Sequence, residues 1–228
     1  MIDTVILNYA TGRFRRGQDR LRDECLEQRY KGDFYLVNED HEDFSRIPTH
    51  AQIPYGFKPA MMKLAQGRGY RYLLWCDSSI VPVAPLKRAF DIIRENGYMF
   101  LLCGHNCGVW CSDAALKTLG ITREDAFDIP QIIGGCQGLD LNNELARDYL
   151  DRWYDLSRDG ISFHGSHTNE NHQVSTDDRV KGSRHDQVAG SVIAHQLGMD
   201  RILGNVAMYD ESGVVPRKET TIFLVRSA

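Results

Sequence analysis

The sequence predicts an α/β fold: one domain with a mostly parallel central sheet flanked by helices. Three observations carry that expectation. Residues 4–37 run strand, helix, strand, the order of a parallel βαβ unit. The run Tyr72–Cys76 is almost wholly apolar, as a central strand covered on both faces must be. Beyond it, amphipathic stretches with helical spacing keep alternating with short apolar runs. At 228 residues the chain is long for one domain and short for two, so residues 1–228 are read as a single unit.

Each element has its own signal. Thr4–Tyr9 is a β-branched run that delivers the loop Ala10-Thr11-Gly12 to the sheet edge. Leu21, Cys25 and Leu26 mark a helix from Gln18 to Tyr30, and Asp33–Val37 reads as the second strand. Asn38 to Tyr55, polar and broken by Pro48 and Pro54, is a loop. Lys58 to Gly67 is a helix with Pro59 in its first turn, where a missing N–H costs nothing. The third strand, Tyr72–Cys76, stops at Asp77-Ser78-Ser79. After Pro82 and Pro85 come a helix from Leu86 to Asn96, ended by Gly97, and a strand from Tyr98 to Cys103; Gly104 to Val109 is loop or edge strand. Ser112 caps a helix running to Leu119 and stopped by Gly120.

Residues 128–141 mix β-branched residues with three glycines, which predicts a backbone that bends or lies close to something, a substrate being one candidate. Asn143 to Ser157 is a helix with Leu145, Tyr149, Leu150, Trp153 and Leu156 on its buried face. Residues 158–183 are polar, carry His164, His167 and His172, and read as a long mobile loop able to act as a lid, because irregular stretches beyond about 12–15 residues are usually functional or disordered. Arg184 to Leu197 is a helix stopped by Gly198, and the tail from Ile202 to Val225 holds two short strands.

Composition narrows the function classes. Hydrophobic residues make up 42% and charged residues 25%, enough for a sizeable core. Lys and Arg number 27 against 31 Asp and Glu, a net charge of -4, so the chain as a whole lacks the signature of a nucleic-acid binder; Arg13, Arg15 and Arg16 leave room for a local basic patch. Six cysteines sit mostly in apolar runs, and Met1-Ile2-Asp3 leads straight into a strand with no signal peptide, so the expected setting is reducing and cytoplasmic. Cys103, Cys107 and Cys111 recur every four residues, but without a second pair they read as buried thiols rather than a zinc site. No apolar run approaches the ~20 residues of a membrane span.

In open α/β sheets ligands lie beyond the carboxyl ends of the strands, which makes Asp77 the first candidate. A carboxylate there can hold a divalent cation or simply cap a turn, and Ser78 and Ser79 offer hydroxyls to ribose or phosphate. Asp186 stands where a helix begins, as a cap or as a functional acid.

Four segments taken together carry more. Gly56-Phe57-Lys58-Pro59, Tyr72-Leu73-Leu74-Trp75-Cys76-Asp77-Ser78-Ser79-Ile80, Gly134-Gly135-Cys136-Gln137-Gly138-Leu139 and Arg184-His185-Asp186-Gln187 occur in this order across most of the chain. The chain thereby resembles the GT-A-type nucleotide-sugar-dependent glycosyltransferases. The resemblance implies a GT-A (Rossmann-like) fold, with residues 1–103 as the nucleotide-binding half and 104–228 as the acceptor and sugar half. It implies transfer of a sugar from a nucleoside-diphosphate sugar, expected to be a UDP-sugar, to an acceptor hydroxyl. The family often uses Mn2+ or Mg2+ held by an Asp-x-Asp triplet, which points to Asp77 and Ser79 as ligands. Here the third position is Ser79 rather than an acid, so the ion would bind Ser79 weakly or through water, recruit a histidine, or give way to cations such as Lys58 and Arg184. By the same resemblance Tyr9, Thr11 and Arg13, after the first strand, meet the base, ribose and phosphates, Gly134 and Gly135 line the sugar pocket, and His185 with Asp186 forms the acidic motif. Asp186 is then the base of an inverting reaction or a ligand of the donor sugar's hydroxyls in a retaining one.

The acceptor stays open among a polysaccharide, a lipid-linked glycan, a protein and a hydroxymethylated base in viral DNA. Two other readings remain: a sugar nucleotidyltransferase, whose Gly-rich loop after strand one is here reduced to Gly12, and a non-catalytic nucleotide- or sugar-binding module.

Overall fold

The computed structural model describes residues 3–204, 206–209 and 219–226. Strand β1 (Thr4–Tyr9) lies parallel to β2 (Asp33–Val37) on one side and to β3 (Tyr72–Cys76) on the other. Helix α1 (Arg15–Glu27) joins β1 to β2; it starts and ends three residues earlier than expected, because a 3-10 turn at Gly12–Phe14 already winds the chain into it. Helix α2 (Phe57–Gly67) leads into β3, and a short strand β4 (Ile80–Pro82) follows where a loop was expected. Helix α3 (Lys87–Asn96) ends on Gly97 in the left-handed conformation.

Strand β5 (Tyr98–Asn106) runs past Cys103 to pair with β6 (Pro130–Asp140), which is one continuous strand despite its glycines. Between them stand α4 (Asp113–Leu119), capped by Ser112 as predicted, and α5 (Arg123–Asp128), which the sequence reading missed although Thr122 and Asp125 form a capping box. Helix α6 (Glu144–Ser157) is capped by Asn143, and α7 (His185–Gln196) follows the long irregular segment. On α6, Leu145 is exposed at 43% rather than buried, and Ala146 takes its place against the core. The tail supplies β7 (Ile202–Leu203), β8 (Ala207–Tyr209) and β9 (Phe223–Val225); its remaining stretch, 210–218, lies outside the described residues.

The main sheet has the order β2-β1-β3-β6-β5-β7, and β6 alone among these strands runs against the rest, so the sheet is mostly parallel. A second sheet, β4-β9-β8, closes one end. Alternation along the strands divides the core. Val5, Leu7, Leu73 and Trp75 meet α2, α6 and α7 through Met61, Met62, Tyr149, Trp153 and Ile193. Ile6, Leu74 and Cys76 meet α1 and α3 through Leu21, Cys25, Phe90 and Ile93. A third cluster, including Cys107, Cys111, Leu116 and Val188, seats α4 and α5 against α7. All six cysteines are free and five are buried; burial pushes the Cys111 thiol up to about 12.

Residues 158–183 contain a single 3-10 turn, Glu170–His172, among the described elements. The segment is nonetheless stitched down. The Asn169 side chain accepts from Val174 N and Ser175 N and donates to Ser175 O, the Ser175 hydroxyl donates to Asp113, and Phe163 is fully buried.

Candidate functional site

The sheet order explains why distant residues converge. With β6 beside β3, Gly135 O accepts from Asp77 N at 2.8 Å, so the glycines stand directly against the acid that ends β3. Helix α7 packs on β6 and brings Asp186 to the same place. A side chain at Gly134 would put its Cβ 2.8 Å from Asp186 Oδ2, and one at Gly135 would put it 3.0 Å from Asp77 Oδ2. The close approach that the glycines predicted is to these two carboxylates.

Lys58, from the first turn of α2, joins them. Its Nζ lies 2.9 Å from Asp186 Oδ2, 3.4 Å from Asp77 Oδ2 and 2.9 Å from Gly134 O. All three ammonium hydrogens are thereby directed at acceptors, and the side chain is 3% exposed. Burial alone would drive the Lys58 pKa down, but Asp186 and Asp77 more than reverse this and hold it above the ordinary lysine value. Burial raises the pKa of Asp186, against the pull of Lys58. Trp75 Nε1 donates to Asp77 Oδ1 at 2.7 Å, as alternation along β3 allows, because residues two apart share a face. Trp153 Nε1 donates to Asp186 O at 3.0 Å.

Two cavities meet at Tyr55, Asp77 and Ser79. One, of about 270 Å³, is walled mainly by aromatic groups, among them Tyr9, Phe14, Tyr55 and Phe57, with Thr11 and Ser78 at its polar side. The other, of about 210 Å³, is polar and holds Lys58, Gly134, Gly135, Arg184, His185 and Asp186. Eleven of the twelve residues singled out in the sequence line one or both. Arg13 lines neither; its guanidinium lies 5.0 Å from the Phe14 ring. Tyr9 stacks on Phe57 at 4.8 Å and on Phe44 at 5.7 Å, so its ring is engaged by the core, while its hydroxyl is buried without a partner among the described residues.

The histidines gather around Tyr55. His167 packs edge-on against His185 at 4.5 Å, and His50 against Tyr55 at 4.7 Å. His185 Nε2 is 2.8 Å from Gly165 O, which can only accept, so the ring proton sits on Nε2. Its Nδ1 is buried with no partner among the described residues, and burial lowers its pKa to about 4. Tyr55 and His185 both have positive φ, +59° and +38°, a cost that clusters at functional sites.

A divalent ion on Asp77 and Ser79 does not fit this donor set. Both Asp77 oxygens already face N–H donors, Lys58 Nζ stands between the two acids where a cation would sit, and Ser79 adds no charge. Among the described residues no three His, Cys, Asp or Glu side chains are grouped to hold a metal, Cys103, Cys107 and Cys111 included.

The architecture is that of solved glycosyltransferases. A glycosyltransferase involved in the glycosylation of the major capsid of PBCV-1 superposes with a TM-score of 0.54 at 12% identity, over 97% of this chain and 92% of that one. Mouse xyloside xylosyltransferase 1 gives 0.52 at 9% identity over 99% and 98%. The chain has the GT-A fold. The bifunctional glycosyltransferase WbbM, at 0.53 and 11% identity, matches over 91% of this chain but only 40% of its own length. The sequence itself matches no protein-family model and no curated protein.

In the sequence Tyr55 and His50 belong to a polar loop, and nothing local to Trp75 signals its bond to Asp77. Tyr55 adjoins Gly56-Phe57-Lys58, and that adjacency was the signal available.

Proposed function

We propose that the chain transfers a sugar from a nucleoside-diphosphate sugar, a UDP-sugar being the first candidate, to an acceptor hydroxyl. One observation carries the reading: an aromatic cavity of the size of a nucleoside's base and ribose opens, at Asp77, into a polar cavity built around Lys58, Asp77 and Asp186. The base and ribose occupy the aromatic cavity, against the rings that wall it, and the diphosphate crosses Ser79 into the polar one. Transfer breaks the bond from the sugar's anomeric carbon to the diphosphate oxygen and forms one to the acceptor oxygen, whose proton leaves to a base. Asp186, fixed by Lys58 and by its place at the start of α7, faces the sugar.

Its job follows from the stereochemistry. With inversion its carboxylate takes the acceptor's proton, for which a pKa raised by burial is suited; with retention it accepts hydrogen bonds from the donor's hydroxyls. The His185 ring, kept neutral by burial, lines the same cavity beside it. The acceptor is a glycan or a hydroxymethylated base of viral DNA, reached in the cytoplasm.

The test is slow hydrolysis of a panel of UDP-, GDP-, ADP- and dTDP-sugars, followed by NMR, which also shows the first anomer released. The expected outcome is release of sugar and nucleoside diphosphate from one member, reduced about 100-fold or more in Asp186→Asn. Turnover that is equal in the variant contradicts the role of Asp186.

A further inference from the structure

We infer that this site works without a divalent cation: the Lys58 ammonium occupies the cation seat between Asp77 and Asp186, and the Arg184 guanidinium supplies the charge that meets the donor's diphosphate. The inference rests on the reading of the joined cavities as a donor site.

Three observations support it. First, the seat is full. A cation bridging the two carboxylates would have to stand where Lys58 Nζ already lies 2.9 Å from Asp186 and 3.4 Å from Asp77. Lys58 is buried in α2, and moving it aside to make room would leave the buried Asp186 carboxylate without its cation, beside the half-buried Asp77.

Second, the remaining oxygen is not a free ligand. Asp77 Oδ1 accepts the indole N–H of Trp75, a fully buried side chain packed in the core. Recruiting that oxygen to a metal would orphan a buried donor, which costs about 1–3 kcal/mol.

Third, the charges leave one cation over. In the polar cavity Asp77 and Asp186 are matched against Lys58, and their sum is negative, which repels a diphosphate. Arg184 lines the same cavity, is exposed, and has no acidic partner among the described residues; its guanidinium rests 4.4 Å from the Trp110 ring. A guanidinium stacked on an aromatic face keeps its N–H groups free for bidentate contact with phosphate. Leaving-group charge developing at the diphosphate can be stabilised by such a fixed cation as it would be by an ion. Arg184 also directly precedes His185 and Asp186, so one turn of chain presents both the phosphate cation and the acid that faces the sugar.

Calorimetric titration of the full chain with UDP, GDP, ADP and dTDP, each in EDTA and in excess MnCl2, tests this. The expected result is that the nucleotide that binds does so with dissociation constants that agree within about twofold in the two conditions, and that Arg184→Ala weakens it about tenfold in both, with Arg184→Lys recovering part of the loss. Electron paramagnetic resonance should show no stoichiometric protein-bound Mn2+ in the nucleotide complex, whereas Lys58→Met, by emptying the seat, should gain it. If Lys58→Met fails to fold, the wild-type titrations decide alone. Tightening of about tenfold or more by Mn2+, abolished in Asp77→Asn, would overturn the inference and leave the transferase reading intact. Absence of binding by all four diphosphates in both conditions would overturn the transferase reading, and the inference with it.

Discussion

His185 holds several unfavourable features at once: a backbone φ of +38°, near-complete burial, and an Nδ1 with no partner among the described residues. Each costs free energy that the surrounding structure must offset, and together they keep a neutral imidazole in the wall of the polar cavity. The state has a pH signature. The folded-state pKa is depressed from 6.5 to about 4, chiefly by burial, so the folded protein refuses a proton that the unfolded chain accepts. The stability associated with this group is therefore fully present above about pH 6.5 and is lost as pH falls toward about 4. Urea titrations across that window should show the wild type losing about 3 kcal/mol more than His185→Asn, which tolerates positive φ and carries no imidazole. Parallel pH profiles for the two proteins would contradict the assignment. At this scale the sequence was informative about which residues matter but not about their partners. Asp77 and Asp186 could be picked out because one ends an apolar strand and the other begins a helix. That Lys58 bridges them, across 128 residues of chain to Asp186, has no local signal, and neither does the indole N–H that Trp75 lends to Asp77.

Among the elements, β6 does the most to build the site. It is the reversed strand of the main sheet, it separates β3 from β5, and its glycines leave the room that two carboxylates occupy beside it and a carbonyl, Gly134 O, to which the Lys58 ammonium donates. Gly134→Ala would place a methyl group 2.8 Å from Asp186 Oδ2, and the carboxylate is the part that can shift. The expected outcome is a protein that folds with a loss of about 1–3 kcal/mol in stability but loses most of its donor turnover, because Asp186 is pushed off Lys58. Thermal melts and the hydrolysis assay, run side by side, measure the two effects; unchanged turnover would show that Asp186's position is not critical. The elements that were legible are those with strong periodicity or caps, such as β1, β3, α6 with Asn143, and α4 with Ser112. Those that were not are short or rest on distant pairing. α5 has only six residues, and β4, β8 and β9 have three each, too few to show a period; they exist because they pair with one another at the end of the sheet. Residues 158–183 lack any repeating pattern, so the side-chain contacts of Asn169 and Ser175 that tie the segment to Asp113 could not be foreseen.

For the molecule as a whole, the GT-A fold at 9–12% identity shows how little of the architecture depends on particular side chains. In this chain the end of β3 meets the start of α7, and a lysine-bridged acid pair fills the meeting point. No helix among the described residues is long and apolar enough to cross a membrane. The net charge of -4 offers no general attraction to a nucleic-acid backbone. The central claim is that the joined cavities bind a nucleotide-activated sugar, and a crystal of the full chain soaked with the panel of nucleoside diphosphates tests it most directly. The account predicts a nucleotide with its base and ribose in the aromatic cavity beside Tyr9 and Phe57, and its diphosphate passing Ser79 toward Arg184. Empty cavities beside Asp77 with every nucleotide, or a nucleotide bound elsewhere on the surface, would contradict it.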